Sequence, residues 1–388
     1  MMLLGTLLCC PDLVLATTFY AQSCSQTNIQ TAIDSSSNGD TVIVPAGTCT
    51  SATAITLNQG ATLQGAGKDL SLLSLSASGS VIVLDGTDGE LPRITGFTID
   101  GVSETYGIYV QGDCKTFRID NIKFTGTAGA IKTDGYTYGV IDSCTFINAG
   151  AEQIDVADGG DGSNAWSYDI DDILGTANAV YIEDCYFESD AEGNGNAIDS
   201  NVGARWVFRY NEVTGTNDGL LMPIENHGYC MQSNHGTRSI EVYENTFTID
   251  YTDYNPVMKI RGGDGVIYDN NVFGTFDWIQ LNNYRSWNEG CAGGLCSDNE
   301  GYPCQDQTTE LYIWDNYAPS RPDSLLPISV YDGGDCREHI QEDRDFFLEE
   351  KSGYTPYTYP HPLRGDGNGN GQEAGDGSML KMRRRQYN

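Results

Sequence analysis

A short phrase recurs along the chain: an apolar residue, two others, Asn or Cys, then a second apolar residue two positions on. It reads IDSCTF at 141–146, IEDCYF at 182–187, FRYNEV at 208–213, VYENTF at 242–247 and IYDNNV at 267–272. Weaker copies begin at Ile94, Ile119 and Ile313, so successive copies start 25, 22, 41, 26, 34, 25 and 46 residues apart. Self-similarity at such a period marks a stack of small units that share one core. The longer intervals fit one coil with an insertion, or two coils. No copy has helical spacing; each reads as two short strands, apolar at alternate positions and hinged at the Asn or Cys. A third segment of the same kind often follows, as in GAIKTDG, EQIDVAD, NAIDSN and DWIQLNN. Three short strands per repeat describe one coil of a parallel β-helix. Stacking then places Asn211, Asn245, Asn270 and Asn316 in a ladder of side-chain amides, with Cys144 and Cys185 in the same column.

The stretch at 28–67 predicts a cap over the first coil, with a short helix around Ile29–Ser35. After Leu363 the chain becomes glycine-rich and poor in apolar residues, and 364–388 is expected to be a disordered tail. The first 16 residues are apolar and read as a secretory signal without a positive start. They are too short to span a bilayer comfortably, and no later segment is long enough to do so. The β-helix domain is therefore expected over 17–363, in a secreted protein.

Composition narrows the partners. With 54 acidic residues against 21 basic ones, the net charge of −33 excludes a nucleic-acid phosphate backbone as a natural ligand. Ten cysteines remain beyond the N-terminal segment, a number compatible with disulfides and equally with buried thiols. Cys24 and Cys49 read as a clip at the N-terminal end.

Against this charge, VMKIRG at 257–262 sets two cations side by side. In the IKT, IDV and IDS segments, Ile131, Ile154 and Ile198 point into the core, so alternation sends Lys132, Asp155 and Asp199 outward. The same logic buries Met258 and Ile260 and exposes Lys259 and Arg261. In DWIQLNN it turns Gln280 and Asn282 out, and Arg285 follows in the loop. His227 and His235, each followed by glycine, lie in the coil before Lys259. Insertions at 157–179 and 284–310 are placed to wall a groove on this face.

Three stretches, AIDSSSNGDTVIVPAGTCT at 32–50, RGGDGVIYDNNVF at 261–273 and YTPYTYPHPL at 354–363, together with the asparagine ladder, carry a resemblance. The chain resembles the right-handed parallel β-helix superfamily typified by pectate lyases. That resemblance implies an all-β, single-stranded right-handed solenoid over about 24–363 and a carbohydrate substrate. It also implies the reaction of related lyases, β-elimination on a uronic-acid polymer. There Ca²⁺ held by carboxylates neutralises the sugar carboxylate, and an arginine or lysine removes the neighbouring proton.

Asp155, Asp158, Asp161 and Asp199 are the expected oxygen ligands. Lys259 is a reasonable base, because burial and a cationic neighbour both lower a lysine pKa. Arg261, permanently protonated, suits a carboxylate clamp, although the family's use of arginine as base keeps the reverse assignment open. His227 and His235 are further catalytic candidates; Lys132, Gln280, Asn282 and Arg285 are candidates for substrate binding. His361, flanked by prolines, reads as structural.

Two other functions compete. A glycoside hydrolase of the same fold would act through paired carboxylates. A non-catalytic adhesin, filament or fibre would show a row of surface aromatics, for which Tyr136, Tyr138, Trp166, Tyr168, Trp278, Tyr284 and Trp287 are candidates.

Overall fold

The computed structural model describes residues 16–365, apart from 77, 87–89, 102–104, 158–173, 191–194, 217–218, 221, 229–234, 251–254, 276–277, 283–306, 322 and 332–339. Each coil contributes one strand to each of three parallel sheets, which have twelve, ten and nine strands among the described residues. Because equivalent residues sit one above another, a column of side chains follows each position of the repeat. Ile119, Ile141, Ile182, Phe208, Val242, Ile267 and Ile313 form one buried column. Phe124, Phe146 and Phe187 stack in another, with ring centroids 5.1 and 4.4 Å apart.

The hinge of the repeat has a simple cause. Asn121, Ser143, Asp184, Tyr210, Glu244, Asp269 and Asp315 all adopt left-handed backbone, with φ between 47° and 58°. One such residue turns the chain from the twelve-stranded sheet into the nine-stranded one. The residue after it faces inward: Cys144, Cys185, Asn211, Asn245, Asn270 and Asn316 are all buried. The turn leaves a strand-end carbonyl without a ladder partner, and the inward side chain supplies one. Asn245 Nδ2 donates to the Phe208 carbonyl at 2.8 Å and to Asn270 Oδ1 at 2.9 Å. Its Oδ1 accepts from the Asn211 amide at 2.9 Å. In the earlier coils the Cys185 thiol makes the weaker equivalent contact, 3.7 Å from the Ile141 carbonyl. The expected ladder is present, with the two cysteines in its column.

Replacing Asn245 by Ala orphans several buried groups at once, each worth about 1–3 kcal/mol. We expect Asn245→Ala to lower unfolding free energy by about 3–4 kcal/mol in chemical denaturation. A loss below the cost of one hydrogen bond would remove the ladder from this account of the fold.

Helix Gln26–Asp34 closes the first coil, close to the span expected. The Ser25 side chain caps it by accepting from the Asn28 amide, and Ile29, Ala32 and Ile33 face the core. Cys24 and Cys49 are disulfide-bonded. Cys114, Cys144 and Cys185 are free and buried; the other cysteines lie outside the described residues.

At the other end, residues 354–364 run across the outer face of the twelve-stranded sheet. They cover a stack of Tyr243, Tyr268 and Trp314, with centroids 4.8 and 4.4 Å apart. Buried Arg209 donates to the Tyr357 and Thr358 carbonyls at 2.7 and 2.9 Å. His361 is structural, as expected: it is buried, and its Nδ1 accepts from the Leu363 amide. Arg364 departs from the expected boundary of the tail. It pairs with Glu183 at 2.8 Å, with Asp142 at 3.2 Å and with Asp184, so the strap extends one residue further. Residues 366–388 lie outside the described residues. No helix among the described residues is long and apolar enough to cross a membrane.

Candidate active site on the ten-stranded sheet

Strands Gly129–Asp134, Glu152–Ala157, Asn196–Ser200, Ile224–Asn226, Met258–Ile260 and Ile279–Leu281 are successive members of the ten-stranded sheet. Their register decides which polar side chains meet. Lys132 pairs with Asp155, Asp155 with Asp199, Glu225 with Lys259, and Lys259 with Gln280. Ile198 paired with Ile224 joins the two halves and sets Asp199 beside Glu225. Neighbouring strands are about 4.8 Å apart, so one outward row carries Lys132, Asp155, Asp199, Glu225, Lys259 and Gln280. His227 and Arg261 stand one residue beyond the ends of their strands, on the same side of the row.

Glu225 organises the centre. Arg261 Nη2 donates to its Oε1 at 2.5 Å, and Asn196 Nδ2 to its Oε2 at 2.9 Å. Lys259 Nζ lies 4.0 Å from Oε1. His227 Nε2 lies 3.3 Å from Asp199 Oδ1 and 4.0 Å from Glu225 Oε1. Asp199, Glu225 and His227 each present a ligand atom within 4.8 Å of the others. Beside them Asp155 accepts from Lys132 at 2.7 Å through Oδ2, while its Oδ1 is buried without a hydrogen-bond partner among the described residues.

The two His-Gly pairs have a packing role. A Cβ on Gly228 would fall 2.3 Å from the Arg261 carbonyl oxygen, and one on Gly236 would fall 2.5 Å from the Gly228 carbonyl carbon. Only glycine lets these backbones approach so closely. The His227 amide donates to the Ser200 carbonyl and its carbonyl accepts from Thr237, so the imidazole springs from a pinned backbone.

Several expectations are corrected here. Arg261 faces outward, but its side chain is only 4% exposed and is anchored by Glu225 and by the Asn226 carbonyl at 3.2 Å. It holds the centre together instead of standing open. Asn282 is buried as well. Asp155 and Asp199 are adjacent in register, Asp199 shares a compact cluster with Glu225 and His227, and the His235 carbonyl accepts from the Val202 amide. Asp158, Asp161 and Arg285 lie outside the described residues, as do Trp166, Tyr168, Tyr284 and Trp287 and most of both insertions. Tyr138 and Trp278 are buried, so they do not contribute to an exposed aromatic row.

Sequence reasoning missed Glu225 and Glu152. The signal for Glu225 was present: IEN at 224–226 repeats the Ile-acid alternation of IDV and IDS. Glu152 is tied to the site by charge, since its carboxyl feels both Asp199 and Asp155.

Electrostatics follow from crowding at a half-dry surface. Burial, then the Arg261 charge, lowers the Lys259 pKa below the ordinary lysine value, with Glu225 opposing. Burial works against the Lys132 charge, yet Asp155 opposite holds its pKa above the ordinary value. Burial, then Asp199 and Asp155, push Glu152 up to about 7. Between its ordinary value of 4.5 and about 7, the folded chain keeps a proton on Glu152 that the unfolded chain has lost. Stability from this group therefore falls as pH rises through that window. We expect Glu152→Gln to gain in melting temperature over the parent as pH rises from 4.5 to about 7, and to hold the gain above it. A pH-independent difference would mean that Glu152 titrates normally.

Residues 71–247 match the family model described as the right handed beta helix region. The chain is a right-handed parallel β-helix. ORF18 of Geobacillus virus E2 superposes on it with TM-score 0.50 at 14% identity, covering 81% of this chain and 61% of the viral one. The chain therefore spans about three fifths of that relative's length. An alginate lyase from Paenibacillus sp. str. FPU-7 superposes at TM-score 0.48 and 16% identity, covering 82% of this chain and 92% of the lyase. The catalytic unit of a thermostable GH87 alpha-1,3-glucanase from Streptomyces thermodiastaticus strain HF3-3 gives 0.45 and 13%, covering 81% and 68%. Likeness at such identity concerns the β-helix fold alone. No curated protein matches the chain in sequence.

The calcium implied by the sequence resemblance can be tested against the donors. Two carboxylates, Asp199 and Glu225, converge on the rungs next to Asp155, whose buried Oδ1 has no hydrogen-bond partner among the described residues, and such an oxygen is costly unless something pairs with it. These residues fit a divalent cation.

Proposed function

We propose that the outer face of the ten-stranded sheet binds an acidic, uronate-containing polysaccharide and cleaves it by β-elimination. The observation that carries this reading is the juxtaposition of Lys259, 4.0 Å from Glu225, with the Asp199–Glu225–His227 group in one outward row. A divalent cation held by Asp199 and Glu225, calcium by resemblance, would neutralise the sugar carboxylate and make the neighbouring proton acidic. It would also reconcile a polyanion with a protein of net charge −33.

The chain's own residues do the rest. Lys259, with its lowered pKa, spends more of its time neutral than an ordinary lysine and can accept the proton at Nζ. Arg261 and Asn196 hold Glu225 in place from two sides. Lys132, held protonated by Asp155, offers a fixed positive charge three strands from Lys259's partner Glu225. The Cys24–Cys49 disulfide agrees with an oxidising, extracellular setting.

The test is an assay on polygalacturonate, alginate and chondroitin with added divalent cation, following the ultraviolet absorbance of unsaturated sugar ends. Unsaturated product on one of the three supports the reading; none on any abandons it.

One observation favours a second reading. Glu152, pushed up to about 7 by burial and by its neighbours Asp199 and Asp155, has the character of the general acid in a carboxyl pair set for glycoside hydrolysis. New reducing ends without unsaturation would select it.

A further inference from the structure

His227 bears on which cation the site takes. Calcium is served by oxygen ligands, six to eight of them, whereas an imidazole nitrogen suits first-row transition cations. We propose that Asp199, Glu225 and His227 form a binding site for a divalent transition cation of the zinc or manganese class, in preference to calcium.

Geometry supports this in four ways. His227 Nε2 lies 3.3 Å from Asp199 Oδ1; two ligands bonded to one zinc at about 2.0–2.1 Å sit about 3.4 Å apart at the tetrahedral angle. The imidazole is presented by a backbone hydrogen-bonded on both sides, to Ser200 and Thr237. Glu225 is oriented by Arg261 and Asn196, the kind of outer support that metal-bound carboxylates receive. Asp155, only 3% exposed, has an unpartnered oxygen on the rung next to Asp199. These described residues give an imidazole, two directly placed carboxylates and one spare oxygen, and the imidazole is the ligand that favours a transition cation over calcium.

The inference sharpens the cation step of the proposed reaction, but binding can be read without substrate. The experiment is calorimetric titration of the full-length, chelator-stripped protein with Zn²⁺, Mn²⁺ and Ca²⁺ separately, with excess Mg²⁺ present to occupy the acidic surface. Co²⁺ is added as a spectroscopic probe. The expected result is one site that binds Zn²⁺ at least tenfold more tightly than Ca²⁺, with Co²⁺ absorption bands indicating a nitrogen ligand. His227→Ala should weaken Zn²⁺ at least tenfold and leave Ca²⁺ unchanged, while Asp199→Asn weakens both. Thermal melts of each variant separate lost ligation from lost fold, and His227→Gln, which keeps bulk and an oxygen, should shift preference toward Ca²⁺.

Equal Zn²⁺ and Ca²⁺ affinity, or Zn²⁺ affinity untouched by His227→Ala, would overturn the proposal. Binding of neither ion would do the same and leave His227 and Asp199 a simple side-chain contact. Zn²⁺ binding without turnover would keep this inference and retire the lyase. Calcium-dependent turnover indifferent to His227→Ala would do the reverse.

Discussion

Arg209→Ala should cost about 3–5 kcal/mol, because it removes one partner of a fully buried ion pair. Both side chains are 0% exposed, and the guanidinium lies 2.6 Å from the Glu183 carboxylate. Arg209 also donates to the Tyr243 hydroxyl at 2.9 Å and to the Tyr357 and Thr358 carbonyls. The substitution therefore removes one of the two guanidinium partners of Glu183 in a dry setting and unpins the strap from the sheet at the same point. Two readings should move together: unfolding free energy falls, and amide exchange in 354–364 speeds up by orders of magnitude relative to the central coils. Glu183 keeps Arg364 and the His361 amide as partners, so loss of the strap is graded. The double variant Arg209→Met, Glu183→Leu should cost less than the sum of its parts, since both members of the contact leave together. A stability change under 1 kcal/mol in Arg209→Ala would mean that water reaches this pair and that the strap is not fastened there.

The second large effect concerns chemistry. Lys259→Ala should reduce turnover by about 10²–10⁴-fold, the usual worth of a positioned base, while leaving the melting temperature nearly unchanged. Its side chain is 15% exposed and, unlike Arg261, it is not clamped to Glu225 at hydrogen-bond distance. Lys259→Arg restores charge but not a removable proton site, so it should not rescue. The base must be neutral to act. The rate of the parent should therefore rise with pH, and the rise should lie below the range of an ordinary lysine because burial and Arg261 both disfavour its charged form. If Lys259→Arg were as active as the parent, the residue would be a carboxylate anchor and the base would lie elsewhere on the row.

The fold was legible because a solenoid repeats its reasons. A spacing of 22–26 residues, alternation around Ile141, Ile182 and Ile267, and an Asn or Cys after each hinge are enough to stack coils. Stacking in turn predicts the outward neighbours of Asp155 and Asp199. Burial could not be read the same way. Alternation says which way Arg261 points but not that Glu225 and Asn226 will seize it; that depends on the preceding coil, separated by an insertion whose length hides the register. Glu225 itself carries the same Ile-acid signature as Asp155, but PIENHG contains a proline and an imidazole that mask the repeat. The strap was harder still. YTPYTYPHPL shows no periodicity, and its place is set by long-range partners such as Arg209, 148 residues away from Tyr357.

The most direct test is a crystal structure of the Lys259→Ala variant soaked with uronate oligosaccharides from the three candidate polymers. The sugar should lie on the ten-stranded sheet, its carboxylate facing Asp199, Glu225 and His227 with a metal ion between, and its acidic carbon next to the gap left at position 259. An oligosaccharide bound to another sheet, or this face empty at saturating sugar and metal, would contradict this reading.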